Sequence, residues 1–500
     1  MSKPQLKVKY LPIDSGDELI AYIHQDSKWI QALGLRARTL LEIHNQSRTI
    51  ITTLHLIKQD DWLATDEIGL STEAFNLLGC PINHRVNIAP SEPNHSMHYV
   101  REKIAGEPFT QSSLDEICQD IAQHRYSPSE ISAFLVACAQ TRLNRQEILY
   151  LTQAMINQGK KLDWNSHFIV DKHCIGGIPG NRTTLIVTPI IAAFGLTMPK
   201  TSSRAITSPA GTADTMEVFA NVNLSMDEMQ QVVHQHQACI AWGGTAQLSP
   251  IDDLLIKVER PLMLDSQGQM IASILSKKMA AGATHLLLDI PVGAYAKVKN
   301  MSDAQRLKQE FEFVSDHLGL NTQVILTDGS EPIGRGIGPL LESQDVIAVL
   351  ENSADAPQDL KEKSLKMAGH ILEFSPNVRG GQGYQIAQQI LESGQALSKF
   401  RAIVESQGSS PIHETIGHHT LNVKANHSGT VQAINNRHIA RLAHLTGAPT
   451  DAGAGIFIHK KVGDSVATNE ALYTLYANVE SNLEFARKFL QQYQSGYTIE

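Results

Sequence analysis

The chain has 500 residues, 42% of them hydrophobic and 19% charged, with a formal net charge of −9. That length exceeds one compact domain and predicts two to four, and the composition excludes gross disorder. The negative balance argues against an extended nucleic-acid face, while leaving room for a local cradle that holds a small anion.

The N-terminus, MSKPQLKVKY, is basic and lacks an apolar core, so no secretory leader is expected. Residues 1–95 read as a β-rich module: Ser47–Ile57 (SRTIITTLHLI) is β-branched, and polar turns break the pattern. The stretch Asp66-Glu67-Ile68-Gly69-Leu70-Ser71 resembles the strand-turn-helix signature of double-psi barrels, and Ala89–Asn94 reads as a linker. From 97 to 163 the periodicity is helical. Leu114, Ile117, Ile121 and Ala122 share one face, with Ser112 or Ser113 expected as the cap, and the pattern returns over Ile131–Gln140 and Glu147–Gln158. Between 166 and 404 short apolar runs (HFIV, HLLLDIPV, QVILTD) alternate with helices, the rhythm of a largely parallel sheet. A polar stretch, Glu405–Pro411, precedes an α+β portion over 412–500, where Gly455–Val466 resembles one edge of a lipoyl-type sandwich. Five widely spaced cysteines without a CxxC pair fit reduced thiols and a cytoplasmic setting, and no apolar run is long enough for a membrane span.

Two loops carry the chemistry. The first, Asp171–Arg182 (DKHCIGGIPGNR), lies between the strand-like HFIV and the helix-like LIVTPIIAAF. A glycine-rich turn at a helix start gathers backbone N–H groups where an anion is favoured, and Lys172 adds a full charge. The second, Thr201–Glu217 (TSSRAITSPAGTADTME), is dense in hydroxyl donors and matches neither a Walker A loop nor a Rossmann fingerprint. The 21 histidines fall into no metal-ligand spacing: His234-x-His236 and His418-His419 lack a carboxylate at motif distance, so no metal is expected.

The run Ser-Ser-Arg-Ala-Ile-Thr-Ser-Pro-Ala-Gly-Thr-Ala-Asp-Thr-Met-Glu resembles the signature of thymidine phosphorylases and the related AMP phosphorylases. Asp-Lys-His-x-x-Gly-Gly is similar to that family's phosphate loop, and Ala272–Lys278 (ASILSKK) to its base-binding helix. The resemblance implies a multidomain α/β fold: a helical domain over 97–163 and 250–284, an α/β phosphate-binding domain over 166–249 and 285–404, and a cleft that closes between them. It places Lys172, Cys174, Ser202 and Thr212 on phosphate. Gly177, the run Ser203, Arg204, Ala205, Ile206, Thr207 and Ser208, then Ser273, Lys277 and Lys297 would line the nucleoside or nucleotide. Asp265 matches the acid that protonates the base in the AMP branch, and His173 a histidine invoked for the same step. Ser273 and Lys277 stand at i, i+4, so a helix turns both to one side.

The implied activity is reversible phosphorolysis of a pyrimidine nucleoside, nominally thymidine, by a pentosyltransferase. It takes inorganic phosphate as co-substrate, uses no cofactor, and works as a homodimer or larger homo-oligomer without nucleic-acid or membrane partners. Two departures stand out. Cys174, a weaker donor than the serine usual in the family, bears on one phosphate hydrogen bond, and Val258 stands where thymidine enzymes carry a base-reading arginine, the nearest being Arg260, which bears on the substrate. Cleavage of nucleoside 5′-monophosphates is therefore a competing expectation, with Arg204 and Lys297 as candidates for the 5′-phosphate. A magnesium-dependent phosphoribosyltransferase of the same fold and a non-catalytic nucleotide-binding regulator are the others.

Overall fold

The computed structural model describes residues 4–500 except 17, 47, 60, 93, 165, 206–207, 245–248, 263 and 265, and excepts the Arg260 side chain. Three residues expected in the site, Ile206, Thr207 and Asp265, thus lie outside the described residues. The chain divides into two compact units, residues 1–158 with 250–269, and residues 159–249 with 270–500.

In the first unit six strands, β1 (Gln5–Tyr10), β2 (Ile20–His24), β3 (Leu40–Asn45), β4 (Arg48–Ile57), β5 (Glu67–Leu70) and β6 (Arg85–Pro90), close into a barrel. The order is β1-β5-β2-β4-β3-β6, with β1/β5 and β2/β4 parallel and the other pairs antiparallel. Closure follows from the two-residue period: Leu6, Val8, Leu41, Ile43, Val86 and Ile88 all turn inward, and the register pairs Ile43 with Ile88. The barrel leaves no unpaired edge. The expected linker begins later than its turn residues suggest, because Ala89 and Pro90 pair with Glu42 and Leu41.

Helices Gln111–Ala122, Pro128–Gln140 and Arg145–Gln158 follow the predicted periodicity. The first is capped by Thr110, not by Ser112 or Ser113. Thr110 Oγ1 accepts from the Ser113 amide while Ser113 Oγ accepts from the Thr110 amide, a reciprocal box that starts the helix at Gln111, two residues earlier than a Ser112 cap would.

The second unit is built on parallel strands. β7 (Val170–Cys174), β8 (Met198–Ser202), β9 (Ala238–Trp242), β10 (His285–Val292) and β11 (Asn321–Asp328) form the rows β11-β10-β7 and β8-β9, joined by the parallel bridge Ile169–Thr197. Leu286 through Ile290 are all fully buried, as expected for a parallel strand covered on both faces. Helix Thr183–Phe194, buried along almost its whole length, packs with helices Gln358–Leu372, Gly383–Glu392 and Gln395–Gln407.

The remaining strands are β12 (Gly336–Ile337), β13 (His419–Lys424), β14 (Gly429–Ile434), β15 (Gly455–Ile458), β16 (Ser465–Val466), β17 (Ala471–Ala477) and β18 (Tyr497–Ile499). They form two antiparallel sheets, β12-β15-β17-β13 and β16-β14-β18. The polar stretch at 405–411 is partly helical rather than a plain separator, since Glu405–Gln407 end the helix Gln395–Gln407. Among the described residues, no helix is long and apolar enough to cross a membrane.

Candidate active site

The strand before the first loop is Val170–Cys174 rather than HFIV, so Asp171, Lys172, His173 and Cys174 belong to β7 itself. Its register with β10, Asp171 opposite Leu286 and Cys174 opposite Asp289, extends the ladder past the apolar run. Successive side chains of a strand leave opposite faces. Lys172 and Cys174 therefore serve one side, Asp171 and His173 the other.

On the first side, Lys172 Nζ donates to the hydroxyls of Thr183, at 2.5 Å, and Thr184, at 3.3 Å. Lys172 is 1% exposed, and burial pulls its ammonium down to about 8. Cys174 Sγ accepts from the Gly176 amide and from Asn181 Nδ2, and burial pushes the thiol up to about 11. It stays protonated at neutral pH and keeps its one weak donor. The turn needs its glycines: Gly177 has φ +91°, and a Cβ there would stand 2.8 Å from the Lys297 amide nitrogen. At Gly180 (φ +73°) a Cβ would collide with the Ile333 carbonyl. Lys297, exposed, thus lies against the loop.

On the other side, the buried Asp171 carboxylate pairs with Lys278 at 2.7 Å and Lys200 at 3.3 Å. Burial would raise its pKa, but the two ammonium groups outweigh burial and hold it below the usual range. Burial also drives His173 well below its ordinary value, and Lys278, Lys200, Lys277 and Lys172 push the same way. His173 is therefore a neutral imidazole near neutrality, able to donate one hydrogen bond but not poised as a charged acid.

The second loop leaves β8 at Ser202. The Ser202 hydroxyl is buried and has no hydrogen-bond partner among the described residues, a costly state unless a ligand completes it. Asp214 Oδ2 accepts from the Ala205 and Gly211 amides, both at 2.8 Å, drawing the loop's two ends together. A Cβ at Gly211 would stand 2.6 Å from the Ala205 nitrogen, which explains the glycine. Arg204 pairs with Glu217 through both terminal nitrogens, touches Asp214 at 3.3 Å, and lies over the Trp242 ring at 5.0 Å. Its charge is thereby committed within the loop. Ser203 is exposed, and Ser208 Oγ donates to the Ala210 carbonyl. Thr212 opens helix Thr212–Glu217, and its hydroxyl accepts from Arg182 Nη1 at 3.3 Å.

Ser273 and Lys277 are half-buried, one turn apart on helix Gln267–Ala280, and the next residue, Lys278, reaches Asp171. The structure thus brings Lys172, Cys174, Gly177 and Lys297 together around the first loop. It joins Thr212 to that loop through Arg182, and sets Lys277 near His173.

Several participants were not anticipated. Thr183 and Thr184, two hydroxyls directly ahead of the apolar run, gave a local signal that was overlooked. Asp171, Arg182 and Lys278 stand inside the quoted motifs but with no role assigned, and Lys200 and Glu342 gave no local signal, because the partners of all five lie far along the chain. Glu342 is buried, forms an ion pair with Arg182 Nε at 2.5 Å, and accepts from Thr215 Oγ1 at 3.2 Å. Burial pushes its carboxyl up to about 7 even against the Arg182 charge.

Donors from two consecutive βα turns, a buried ammonium and a helix start can hold a small oxyanion without reorganising. Residues 97–159 match the family model described as "Glycosyl transferase family, helical bundle domain", and residues 166–397 its "a/b domain". Residues 430–499 match "Pyrimidine nucleoside phosphorylase C-terminal domain". The chain is 50% identical over 497 residues to a protein of Methylococcus capsulatus named "Putative thymidine phosphorylase", covering 99% of this chain and 96% of that one. A protein of the same name from Albidiferax ferrireducens is 48% identical over 504 residues, covering 99% and 96%. Among solved structures, anthranilate phosphoribosyltransferase from Thermus thermophilus shares the fold, with TM-score 0.52 at 17% identity over 62% of this chain and 98% of that chain. The yeast enzyme in complex with PRPP and Mg has TM-score 0.51 at 14% identity, over 63% and 98%.

Proposed function

The chain belongs to the thymidine phosphorylase family of glycosyl transferases, enzymes that transfer pentosyl groups, and from that premise we propose that it catalyses reversible phosphorolysis of a pyrimidine nucleoside. The nominal reaction is thymidine plus phosphate to thymine plus 2-deoxyribose 1-phosphate. A phosphate oxygen bonds to C1′ while the C1′–N bond breaks, the bonding pair leaves with the base, and a proton or hydrogen bond meets it there.

The observation that carries this reading is Lys172. Its hydrogen-bond partners among the described residues are two neutral hydroxyls, and the nearby Asp289 carboxylate is itself paired with Lys363, so a bound phosphate would give the buried ammonium a direct countercharge. Thr183, Thr184, Cys174, Ser202 and Thr212 would complete the cradle. Lys277, with Asp265 and neutral His173, would stabilise the leaving base. The test is a panel of nucleosides and their 5′-monophosphates with phosphate, following free base. Base release should require phosphate and persist with a chelator. Release at full rate without phosphate, or its loss on chelation, overturns the reading, and binding without any release favours a regulator.

A second reading, phosphorolysis of nucleoside 5′-monophosphates to base and ribose 1,5-bisphosphate, is supported by one observation. Lys297 presents an exposed ammonium beside the Gly177 turn, whereas Arg204 is held by Glu217 and Asp214. On this reading Lys297→Ala weakens 5′-monophosphates by about tenfold, the scale of one charged hydrogen bond, and leaves thymidine unchanged. Equal losses for both, or no binding of any 5′-monophosphate, leave the nucleoside as substrate.

A further inference from the structure

We propose that Arg182 and Glu342 form a positioning pair that aims the Thr212 hydroxyl at the bound phosphate, an inference that rests on the phosphorolytic reading above. Arg182 immediately precedes helix Thr183–Phe194, which bears the two threonines that meet Lys172. Glu342 lies on helix Pro339–Leu350. Both side chains are buried, at 6% and 1% exposure, and neither charge is stable there without the other.

The pair holds two threonines of one short helix. Arg182 Nη1 donates to Thr212 Oγ1 at 3.3 Å, while Glu342 Oε2 accepts from Thr215 Oγ1 at 3.2 Å. The other carboxylate oxygen accepts from the Gly338 amide at 3.3 Å, which fixes the carboxylate at both ends. A threonine hydroxyl has a single proton. Because Thr212 Oγ1 accepts from a guanidinium, its proton is turned away from Arg182 and is available to an anion. The same pair ties the helix start after the first loop to the helix start after the second, so it sets the separation of the two donor groups that meet phosphate. A purely structural ion pair would have no need to touch the Thr212 hydroxyl.

The test uses the full chain and measures inorganic phosphate binding by titration calorimetry, with the KM for thymidine alongside. Glu342→Gln keeps the shape but removes the countercharge of Arg182 and turns one of the two accepting oxygens, which meet Thr215 and the Gly338 amide, into an NH2. Glu342→Gln and Thr212→Val should each weaken phosphate by about tenfold, with the thymidine KM within about twofold. In the double variant the losses should not add, because both act through one hydroxyl. Additive losses, unchanged phosphate affinity in folded Glu342→Gln, or a thymidine KM that rises in step each overturn the inference. Arg182→Lys serves if Glu342→Gln does not fold: it keeps a cation beside Glu342 but lacks the fork that reaches Thr212, and the same tenfold loss and non-additivity are expected. Wild-type protein that binds phosphate but releases no base refutes the phosphorolytic reading and leaves the pair's role measurable. Wild-type protein that binds no phosphate refutes the pair's role.

Discussion

Asp171→Asn should destabilise the second unit by about 3–5 kcal/mol near pH 6, the usual cost of leaving buried charges without their partner. The variant strands two buried cations, Lys278 at 2.7 Å and Lys200 at 3.3 Å. It also replaces the carboxylate oxygen that accepts from the Lys172 amide. The loss should shrink as pH rises. Lys200 already sits below its ordinary value because burial disfavours its charge, so it releases a proton at lower pH than an exposed lysine. The signs can be followed group by group. A lysine lowered in the folded state binds fewer protons there than when unfolded, so its contribution to stability climbs with pH between the two values. Asp171 is also lowered, so its contribution is complete above the unfolded value near 4 and disappears as pH falls through the folded one. Urea unfolding of wild type and Asp171→Asn at pH 6 and pH 9 checks this. Equal midpoints at pH 6 would show that the triad does not support the sheet.

Lys172→Met should cost about 1.5–3 kcal/mol of transition-state stabilisation, roughly 10- to 150-fold in kcat/KM for phosphate. Methionine keeps the apolar stem that packs in the core but removes the ammonium and its bonds to Thr183 and Thr184. The pH profile carries a second signature. Free Lys172 titrates at about 8, and only its charged form pairs with phosphate, so kcat/KM for phosphate should fall as pH rises through about 8. In Lys172→Met that alkaline limb should be absent from an already low profile. Stability should run the opposite way, since the folded lysine binds fewer protons than the unfolded one between about 8 and 10.4. Wild-type kinetics in the variant would reduce the first loop to a structural turn.

The helices of the first unit and the parallel rhythm of the second were legible because apolar periodicity is a property of ten or fifteen consecutive residues. Where the reading slipped, a local competitor had won. Thr110 rather than a nearby serine took the cap because the reciprocal box with Ser113 satisfies two helix-end groups at once. The strand bearing Lys172 was placed too early because its buried positions hold Asp171 and Lys172 instead of aliphatic residues. Only ion pairs with Lys200 and Lys278, and hydroxyls from Thr183 and Thr184, make that burial tolerable.

By itself, the sequence determined the family, the two glycine-containing loops and the residue types able to meet an oxyanion, because each is written in consecutive residues whose backbone needs are local. Tertiary structure alone decided which side of β7 each polar residue serves, that Arg204 spends its charge inside its own loop, and that Thr212 is held by Arg182 and Glu342. Those outcomes depend on strand register and on pairs such as Asp171 with Lys278, 107 residues apart, or Thr215 with Glu342, 127 apart. Such pairs are chosen by which buried charges the packed core brings within reach, and no periodicity along the chain encodes that choice.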